Sequence, residues 1–193
     1  LCAGLNYHKK YPLGGEVKTP NQPVYFNKPP GSLVPHNGEL LRPIVSVQLD
    51  YEVELAVVIG RSGRHISESQ ALEHVAGYTV LNDGSVRDWQ RHAVAAGKNF
   101  YRSGSCGPWI VTNDSIPDPS KLSVMTRVNG EERQNASVKE MIFSVFSETV
   151  KVLNRVESIE TTAPETVTGQ TPDTIRYSRS DATQSTTTGT NSL

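Results

Sequence analysis

The chain has 193 residues, of which 36% are hydrophobic and 20% are charged, and its formal net charge is -1. This composition is typical of a globular protein, and the near-neutral charge gives no sign of binding to nucleic acid or to a membrane surface. No apolar run approaches the roughly 20 residues that a membrane span needs, and no signal peptide is visible.

The chain begins with a short extended segment and a long loop. Residues 1–5 are predicted to form a strand, and because the first residue is leucine rather than methionine, we expect residues to be missing upstream. Residues 6–23 are rich in proline, glycine and asparagine, which indicates a loop, and loops of this length often serve as lids or binding loops.

Cys2 and Cys106 make neither a disulfide framework nor a zinc spacing, so we interpret them as reduced, intracellular thiols.

Residues 24–45 mix short extended pieces with prolines and glycines, and a predicted strand follows at residues 49–60. Because alternate side chains of a strand point to opposite faces, Asp50, Glu52 and Glu54 share one face of it. A helix is predicted at residues 67–74. The next strand covers residues 76–83, and a short helix is predicted to begin near Ser85, with Asp88 three residues later as in a capping box.

The second half of the chain contains a predicted strand at residues 106–114 and a hairpin at residues 121–134, which turns at Asn129-Gly130. Apolar residues at helical spacing predict a helix within residues 138–156. Residues 161–193 are crowded with threonine and serine, which predicts a disordered tail. The sequence therefore divides into a domain at residues 1–157 and a tail at 158–193, and its many short strands favour a mostly β fold with short helices, a mixed-β roll or barrel.

Three acidic residues form a candidate metal site. Glu52 and Glu54 are two positions apart on one strand, about 6–7 Å between their Cα atoms, and Asp83 ends the next strand. Carboxylate oxygens are the ligands preferred by Mg²⁺, Mn²⁺ and Ca²⁺, and a cation would convert the repulsion between these acids into attraction. The alternative is a solvated strand face, with Asp83-Gly84 as an ordinary turn.

Three further polar residues are candidates for substrate binding. Lys98 lies in the sequence AAGKNF and could hold a substrate carboxylate beside a metal site, although a surface lysine is the plain alternative. Arg87 and Gln90 are three positions apart, so they share one face of the proposed short helix. They could face the site or cover the helix surface, and the sequence favours neither reading.

Several of these segments together resemble the fumarylacetoacetate hydrolase family, in its C-terminal catalytic domain type. They occur in family order over roughly residues 2–145, and they are CAGLNY (2–7), PVYFNKPP (23–30), LDYEVELAVVIGR (49–61), GYTVLNDGSVRDWQ (77–90), GKNF (97–100), GPWIVT (107–112) and RVNGEERQ with EMIFSV (127–145).

The resemblance implies a mixed-β roll that holds a divalent metal, usually Mg²⁺, in a homodimeric enzyme of the cytoplasm or the mitochondrion. Glu52 and Glu54 match the family's E-x-E metal ligands, and Asp83 matches its metal aspartate. The active-site lysine matches Lys98, and the arginine and glutamine that follow the aspartate match Arg87 and Gln90. Members act on small oxo-acids: they hydrolyse acylpyruvates, decarboxylate oxaloacetate-like acids, or isomerise or tautomerise such substrates.

In such chemistry the substrate's oxo and carboxylate oxygens chelate the metal, which stabilises the enolate as a Lewis acid. Lys98 would add positive charge where the negative charge develops.

The sequence departs from the family pattern in the first loop. Members that hydrolyse their substrates carry N-Y-x-x-H-x-x-E, whose histidine and glutamate activate water as a general base. Here Lys10 and Leu13 occupy those positions. His8, with Glu16 nearby, is a candidate substitute, and an exposed loop histidine is the alternative reading of His8. Hydrolysis is affected more by this change than decarboxylation or enol chemistry, which depend mainly on the metal.

The C-terminal part departs as well. The family continues with a Gly-Asp-Val-Ile-Leu-Thr-Gly-Thr-Pro stretch and further strands, whereas PETVTGQTP (164–172) is a faint echo of it. The roll is therefore expected to be incomplete at its C-terminus. Two hypotheses follow: a metal-dependent enzyme acting on small oxo-acids, or a catalytically impaired or truncated member that acts as a binding or scaffold protein or is a nonfunctional fragment.

Overall fold

The computed structural model describes residues 1–8 and 19–155. The predicted tail and the positions of Lys10, Leu13 and Glu16 lie outside these residues. The strands, in chain order, are β1 (Cys2–Gly4), β2 (Val24–Phe26), β3 (Leu33–Val34), β4 (Leu49–Asp50), β5 (Val53–Ile59), β6 (Val75–Asn82), β7 (Ser85–Val86), β8 (Gly104–Cys106), β9 (Val111–Thr112), β10 (Ser123–Val128) and β11 (Glu131–Ser137).

Helices are few and short in this part of the chain. The two α-helices are α1 (Val94–Lys98) and α2 (Val145–Arg155), and the 3₁₀ turns cover Pro30–Ser32, Glu68–His74, Trp89–Arg91, Pro119–Lys121 and Val138–Glu140. None of the helices among the described residues is long and apolar enough to cross a membrane. The mostly β fold with short helices, predicted from the sequence, is confirmed.

The largest sheet is built around β6. Its whole length pairs antiparallel with β5, from Val53 opposite Asn82 to Ile59 opposite Val75. Its other edge pairs with β8 and with β9, and β8 pairs in parallel with β3. Three two-stranded sheets, β1–β2, β4–β7 and β10–β11, complete the architecture, and no described sheet closes on itself.

The hydrophobic core lies where β6 meets α2 and the 3₁₀ turn at Val138–Glu140. Val75, Tyr78, Val138 and Val145 are buried there and contact Leu55 and Val57 of β5. At about 25 cal/mol per Å² of apolar surface, burial of such side chains stabilises the fold by about 1.5–3 kcal/mol each. The core therefore fixes β5 and β6 side by side.

The structure corrects four predicted elements. The strand at 106–114 is the last residue of β8 and then β9, with residues 107–110 outside any strand. The strand at 49–60 is two strands, because β4 pairs with β7 whereas β5 pairs with β6. The predicted helix after Ser85 is β7, a 3₁₀ turn and then α1. Ser85 is fully buried next to Asp83 instead of capping a helix. The last helix begins at Val145, because the residues before it form the 3₁₀ turn at Val138–Glu140 and a β-bridge between Met141 and Tyr7.

Other predicted elements are confirmed. The hairpin joins β10 to β11 through Asn129 (φ +53°) and Gly130 (φ +83°), the positive angles that a tight turn of this kind requires. The segment predicted as a helix at 67–74 is helical from Glu68 to His74, as a 3₁₀ helix, and Ser67 and Gln70 form its capping box.

Candidate active site

Glu52 and Asp83 meet where β5 and β6 pair. The Asp83 backbone N–H donates to the Glu52 carbonyl oxygen at 2.8 Å, and the Glu52 N–H donates to the Asn82 side-chain oxygen at 3.1 Å. Ser85 Oγ lies 2.9 Å from Glu52 Oε2 and 3.0 Å from the Asp83 carbonyl oxygen. The Asn82 side chain therefore fixes the backbone of Glu52, and the Ser85 hydroxyl joins Glu52 to Asp83. The sequence analysis had assigned neither residue a role.

Lys98 ends α1 with its ammonium between those two carboxylates. Its Nζ donates to Asp83 Oδ2 at 2.5 Å and to Glu52 Oε2, and the residue is 5% exposed. Burial lowers the pKa of Lys98, but the charges of Glu52 and Asp83 outweigh burial and raise the pKa above its ordinary value. Lys98 is therefore a buried cation. The Phe26 ring lies below it, 5.1 Å from Nζ to the centroid.

Arg87 joins β4 to the same cluster. Its Nε and Nη2 lie 2.8 and 2.7 Å from Asp50 Oδ2, and its Nη1 lies 2.6 Å from Glu52 Oε1. Nη1 also donates to Gln90 Oε1 at 3.2 Å. Arg87 and Gln90 thus face the site although no continuous helix carries them. Asp50, which matches no family ligand, holds the arginine in place.

Glu52 and Glu54 differ in their ionisation. Burial alone would raise the pKa of Glu52, but Lys98, Arg87 and Ser85 hold it below its ordinary value. Burial, followed by the charges of Glu52 and Asp83, raises the pKa of Glu54 to about 8. The raised pKa favours the protonated form of Glu54, because the group is buried and two further carboxylates lie near it with little positive charge to offset them.

Lys28 is a second buried cation in the site, which the sequence analysis did not single out. Its Nζ lies 2.8 Å from Asp83 Oδ1 and donates to the backbone carbonyls of Lys98, at 2.6 Å, and Gly84, at 3.3 Å. Both Lys28 and Asp83 have side chains only 3% exposed. The signal available in the sequence was its place in PVYFNKPP, directly after the strand that supplies Phe26.

The carboxylate groups of the site are chemically suited to bind a divalent cation. Glu52, Glu54 and Asp83 supply carboxylate oxygens close to one another, although the Lys28 ammonium already lies 2.8 Å from Asp83 Oδ1. A cation would also stabilise the ionised form of Glu54. The three carboxylates are not arranged around one point, however: no described group of three acid, histidine or cysteine side chains has that geometry, and the Lys98 ammonium bridges Glu52 and Asp83 instead.

A cavity of about 200 Å³ opens beside the carboxylates. Glu54 and Asp83 lie on its wall together with Tyr7, and much of the remaining wall is apolar, from β5, Met141 and α2. His8, the candidate general base, is exposed and is not part of this wall. Its proposed role as a base remains a prediction.

Comparisons with known proteins agree on one family. Residues 1–162 match the family described as fumarylacetoacetate (FAA) hydrolase C-terminal. The chain is 42% identical over 165 residues to an oxaloacetate tautomerase of Bacillus subtilis, covering 83% of this chain and 54% of that protein. It is 42% identical over 149 residues to a mitochondrial oxaloacetate tautomerase of Homo sapiens, covering 74% and 46%. The chain thus spans about half the length of the curated relatives it matches.

Solved structures show the same likeness. A fumarylpyruvate hydrolase from Pseudomonas aeruginosa, in complex with Mn²⁺ and pyruvate, has a TM-score of 0.70 at 31% identity, with 79% of this chain and 70% of that one covered. A 2-hydroxyhepta-2,4-diene-1,7-dioate isomerase from Mycobacterium marinum has a TM-score of 0.69 at 34% identity, with 80% and 57% covered.

Proposed function

The chain belongs to the fumarylacetoacetate hydrolase family, and from this premise we propose that it catalyses the keto–enol tautomerisation of an oxaloacetate-like acid. Relatives from a bacterium and from man that bear the name oxaloacetate tautomerase support this choice of substrate. The single observation that carries the proposal is the Lys98 ammonium, which is buried between Glu52 and Asp83; Asp83 itself lies on the wall of the cavity where an oxo-acid would bind.

Tautomerisation moves one proton. The C3–H bond of the acid breaks and its proton passes to a base such as water, which leaves negative charge on the C2 oxygen of the enolate. A proton that returns from solvent then forms the O–H bond at that oxygen. Lys98 is a fixed cation with protons on Nζ, so it would hydrogen-bond to the C2 oxygen and stabilise the charge that develops there. A preorganised donor of this kind is usually worth about 10²–10³ in rate.

The remaining charged residues hold the substrate and the site. Asp50 fixes Arg87 beside Glu52, where the guanidinium can attract a substrate carboxylate. Glu52, Glu54 and Asp83 are the residues that would hold a divalent cation, Mg²⁺ or Mn²⁺, which when bound polarises the oxo group as a Lewis acid. Two residues keep Lys98 in position: the Phe26 ring lies against its ammonium, and the Lys28 ammonium donates to its backbone carbonyl.

Tautomerisation is favoured over C–C bond hydrolysis because it consumes no water. Hydrolysis needs a base that activates a water molecule, and His8, the residue considered for that role, is exposed away from the cavity wall. Decarboxylation, the homodimer, and a cytoplasmic or mitochondrial location stay predictions.

The experiment uses the full chain with oxaloacetate, following the interconversion of keto and enol forms by the ultraviolet absorbance of the enol. We expect acceleration with Mg²⁺ or Mn²⁺ and its loss with a chelator, while pyruvate formation and acylpyruvate cleavage stay slow. A chain that leaves the interconversion at the buffer rate with either metal would contradict the proposal and support the alternative of an impaired or truncated member.

A further inference from the structure

Glu52 lies outside both β4 and β5, in the break between them. β4 ends at Asp50 and β5 begins at Val53, so the position of this candidate metal ligand depends on contacts other than a regular strand ladder. From β6, the Asn82 side-chain oxygen accepts from the Glu52 N–H at 3.1 Å, and the Asp83 N–H donates to the Glu52 carbonyl oxygen at 2.8 Å. A further contact reaches this segment from outside its sheet.

Gln134 of β11 makes that contact. Its Oε1 accepts from the Val53 N–H at 2.9 Å, across 81 residues of sequence. Val53 lies between Glu52 and Glu54, so the bond fixes the stretch of backbone that carries both acids. β5 is the end strand of its sheet, and β10 and β11 form a separate sheet. The amide side chain of Gln134 therefore satisfies a backbone N–H that has no strand on that side to pair with.

The Gln134 side chain is held in turn by its own hairpin. Thr126 of β10 lies directly opposite Gln134, and its hydroxyl donates to the same Oε1 at 3.1 Å. The register shifts directly after this pair, because Arg127 lies opposite Glu132 and Arg133 is the extra residue. A bulge of this kind changes the direction of neighbouring side chains. The hairpin thus offers Val53 an acceptor that is already fixed in place.

We propose that Gln134 is a positioning residue for the metal site, which sets the directions of Glu52 and Glu54 by holding the backbone of Val53. This inference rests on the proposed function for its metal, because it takes the two glutamates to be ligands of a divalent cation. Residues that orient metal ligands without touching the metal commonly contribute about 10–100-fold to metal affinity. Through Gln134 the β10–β11 hairpin acts on the site, although no residue of the hairpin is on the described cavity wall.

The test compares Gln134→Met with Asn154→Leu. Each substitution replaces an amide by an apolar side chain of similar size, and each removes the acceptor of a distant backbone N–H. Asn154 is the matched control, because its Oδ1 accepts from the Ile66 N–H at 3.1 Å across 88 residues and it is not on the described cavity wall.

Three measurements on the full chain are made for each variant. Mn²⁺ is titrated calorimetrically, the unfolding midpoint is determined in urea, and hydrogen exchange is followed at the amide of Val53. None of them requires turnover, so a chain that fails to tautomerise oxaloacetate can still confirm or contradict the role of Gln134.

We expect Gln134→Met to weaken Mn²⁺ binding by about 10-fold, at the lower end of the range because Gln134 acts through the backbone. Exchange at the Val53 amide should become faster, since its acceptor is lost. Asn154→Leu should lower the unfolding midpoint and leave Mn²⁺ affinity at its wild-type value. Wild-type Mn²⁺ affinity in Gln134→Met, equal weakening in both variants, or no Mn²⁺ binding by the wild-type chain would each overturn the inference.

Variants of Thr126 decide the matter if Gln134→Met does not fold. Thr126→Val keeps the shape of the side chain but removes the hydroxyl that holds the Gln134 oxygen, whereas Thr126→Ser keeps the hydroxyl. We expect weaker Mn²⁺ binding in Thr126→Val and wild-type affinity in Thr126→Ser. Equal affinity in these two variants would overturn the inference, because the hydroxyl would then have no effect on the site.

Discussion

The α-carbon of Gly84 packs against the backbone carbonyl of Ser103 with no room for a side chain. A β-carbon at Gly84 would overlap the Ser103 oxygen and lie 2.7 Å from its carbonyl carbon. Because Gly84 directly follows Asp83, this contact sets how the candidate metal ligand enters the turn between β6 and β7.

Gly84→Ala should therefore disturb the site as well as the fold. We expect a loss of about 1–3 kcal/mol in the free energy of unfolding, as for other overpacked positions, together with weaker Mn²⁺ binding by calorimetry. Gly31→Ala is the control, because nothing lies within 4 Å of a β-carbon there, and its unfolding free energy should change by less than about 0.5 kcal/mol. Equal behaviour of the two variants would show that the contact has no consequence.

Lys98→Met should separate catalysis from metal binding. The variant loses the ammonium that would stabilise the developing charge, so tautomerisation should slow by about 10²–10³. Mn²⁺ affinity should stay equal or increase, because the ammonium no longer competes for Glu52 and Asp83. Lys121→Met, at a lysine whose side chain is 75% exposed, should leave both measurements at wild-type values. A large loss of Mn²⁺ affinity in Lys98→Met would contradict this account of the site.

Lys28→Met should destabilise the chain through Asp83. Removing one partner of a buried ion pair usually costs about 3–5 kcal/mol, and we expect the lower end because Lys98 still neutralises Asp83. Chemical denaturation measures the change. The double variant Lys28→Met with Asp83→Asn should lose less than the sum of the two single variants, whereas strict additivity would show that the 2.8 Å pair has no energetic coupling.

Asn6→Ala should loosen the N-terminal segment. The amide side chain satisfies both the N–H and the C=O of Phe143, and each backbone group left unpaired costs about 1–3 kcal/mol. We expect a lower unfolding midpoint in urea and faster hydrogen exchange at the amide of Phe143. Asn21→Ala, at an exposed position, is the control and should match wild type. Unchanged exchange in Asn6→Ala would mean that other contacts hold the segment.

Local sequence signals predicted several parts of the fold for identifiable reasons. The Asn129-Gly130 turn was predictable because both residues tolerate positive φ angles, and the structure has +53° and +83° there. The alternation of β5 and the apolar spacing of α2 follow from regular geometry. The strand at 49–60 and the helix after Ser85 were wrongly predicted as continuous, because pairing between β4 and β7 overrode local propensity.

The sequence by itself determined the family, the mostly β class and the identity of the charged residues, because each depends on short motifs within the chain. The tertiary structure decided which charges meet. Lys28 lies 55 residues before Asp83 in the chain, yet the two side chains form an ion pair. Nothing in the sequence distinguishes Tyr25 from Tyr7, yet the Tyr25 hydroxyl donates to Glu148 whereas the Tyr7 hydroxyl has no hydrogen-bond partner among the described residues. These relationships come from strands packed together across long separations, and burial then gives the contacts their strength because few competing water molecules remain.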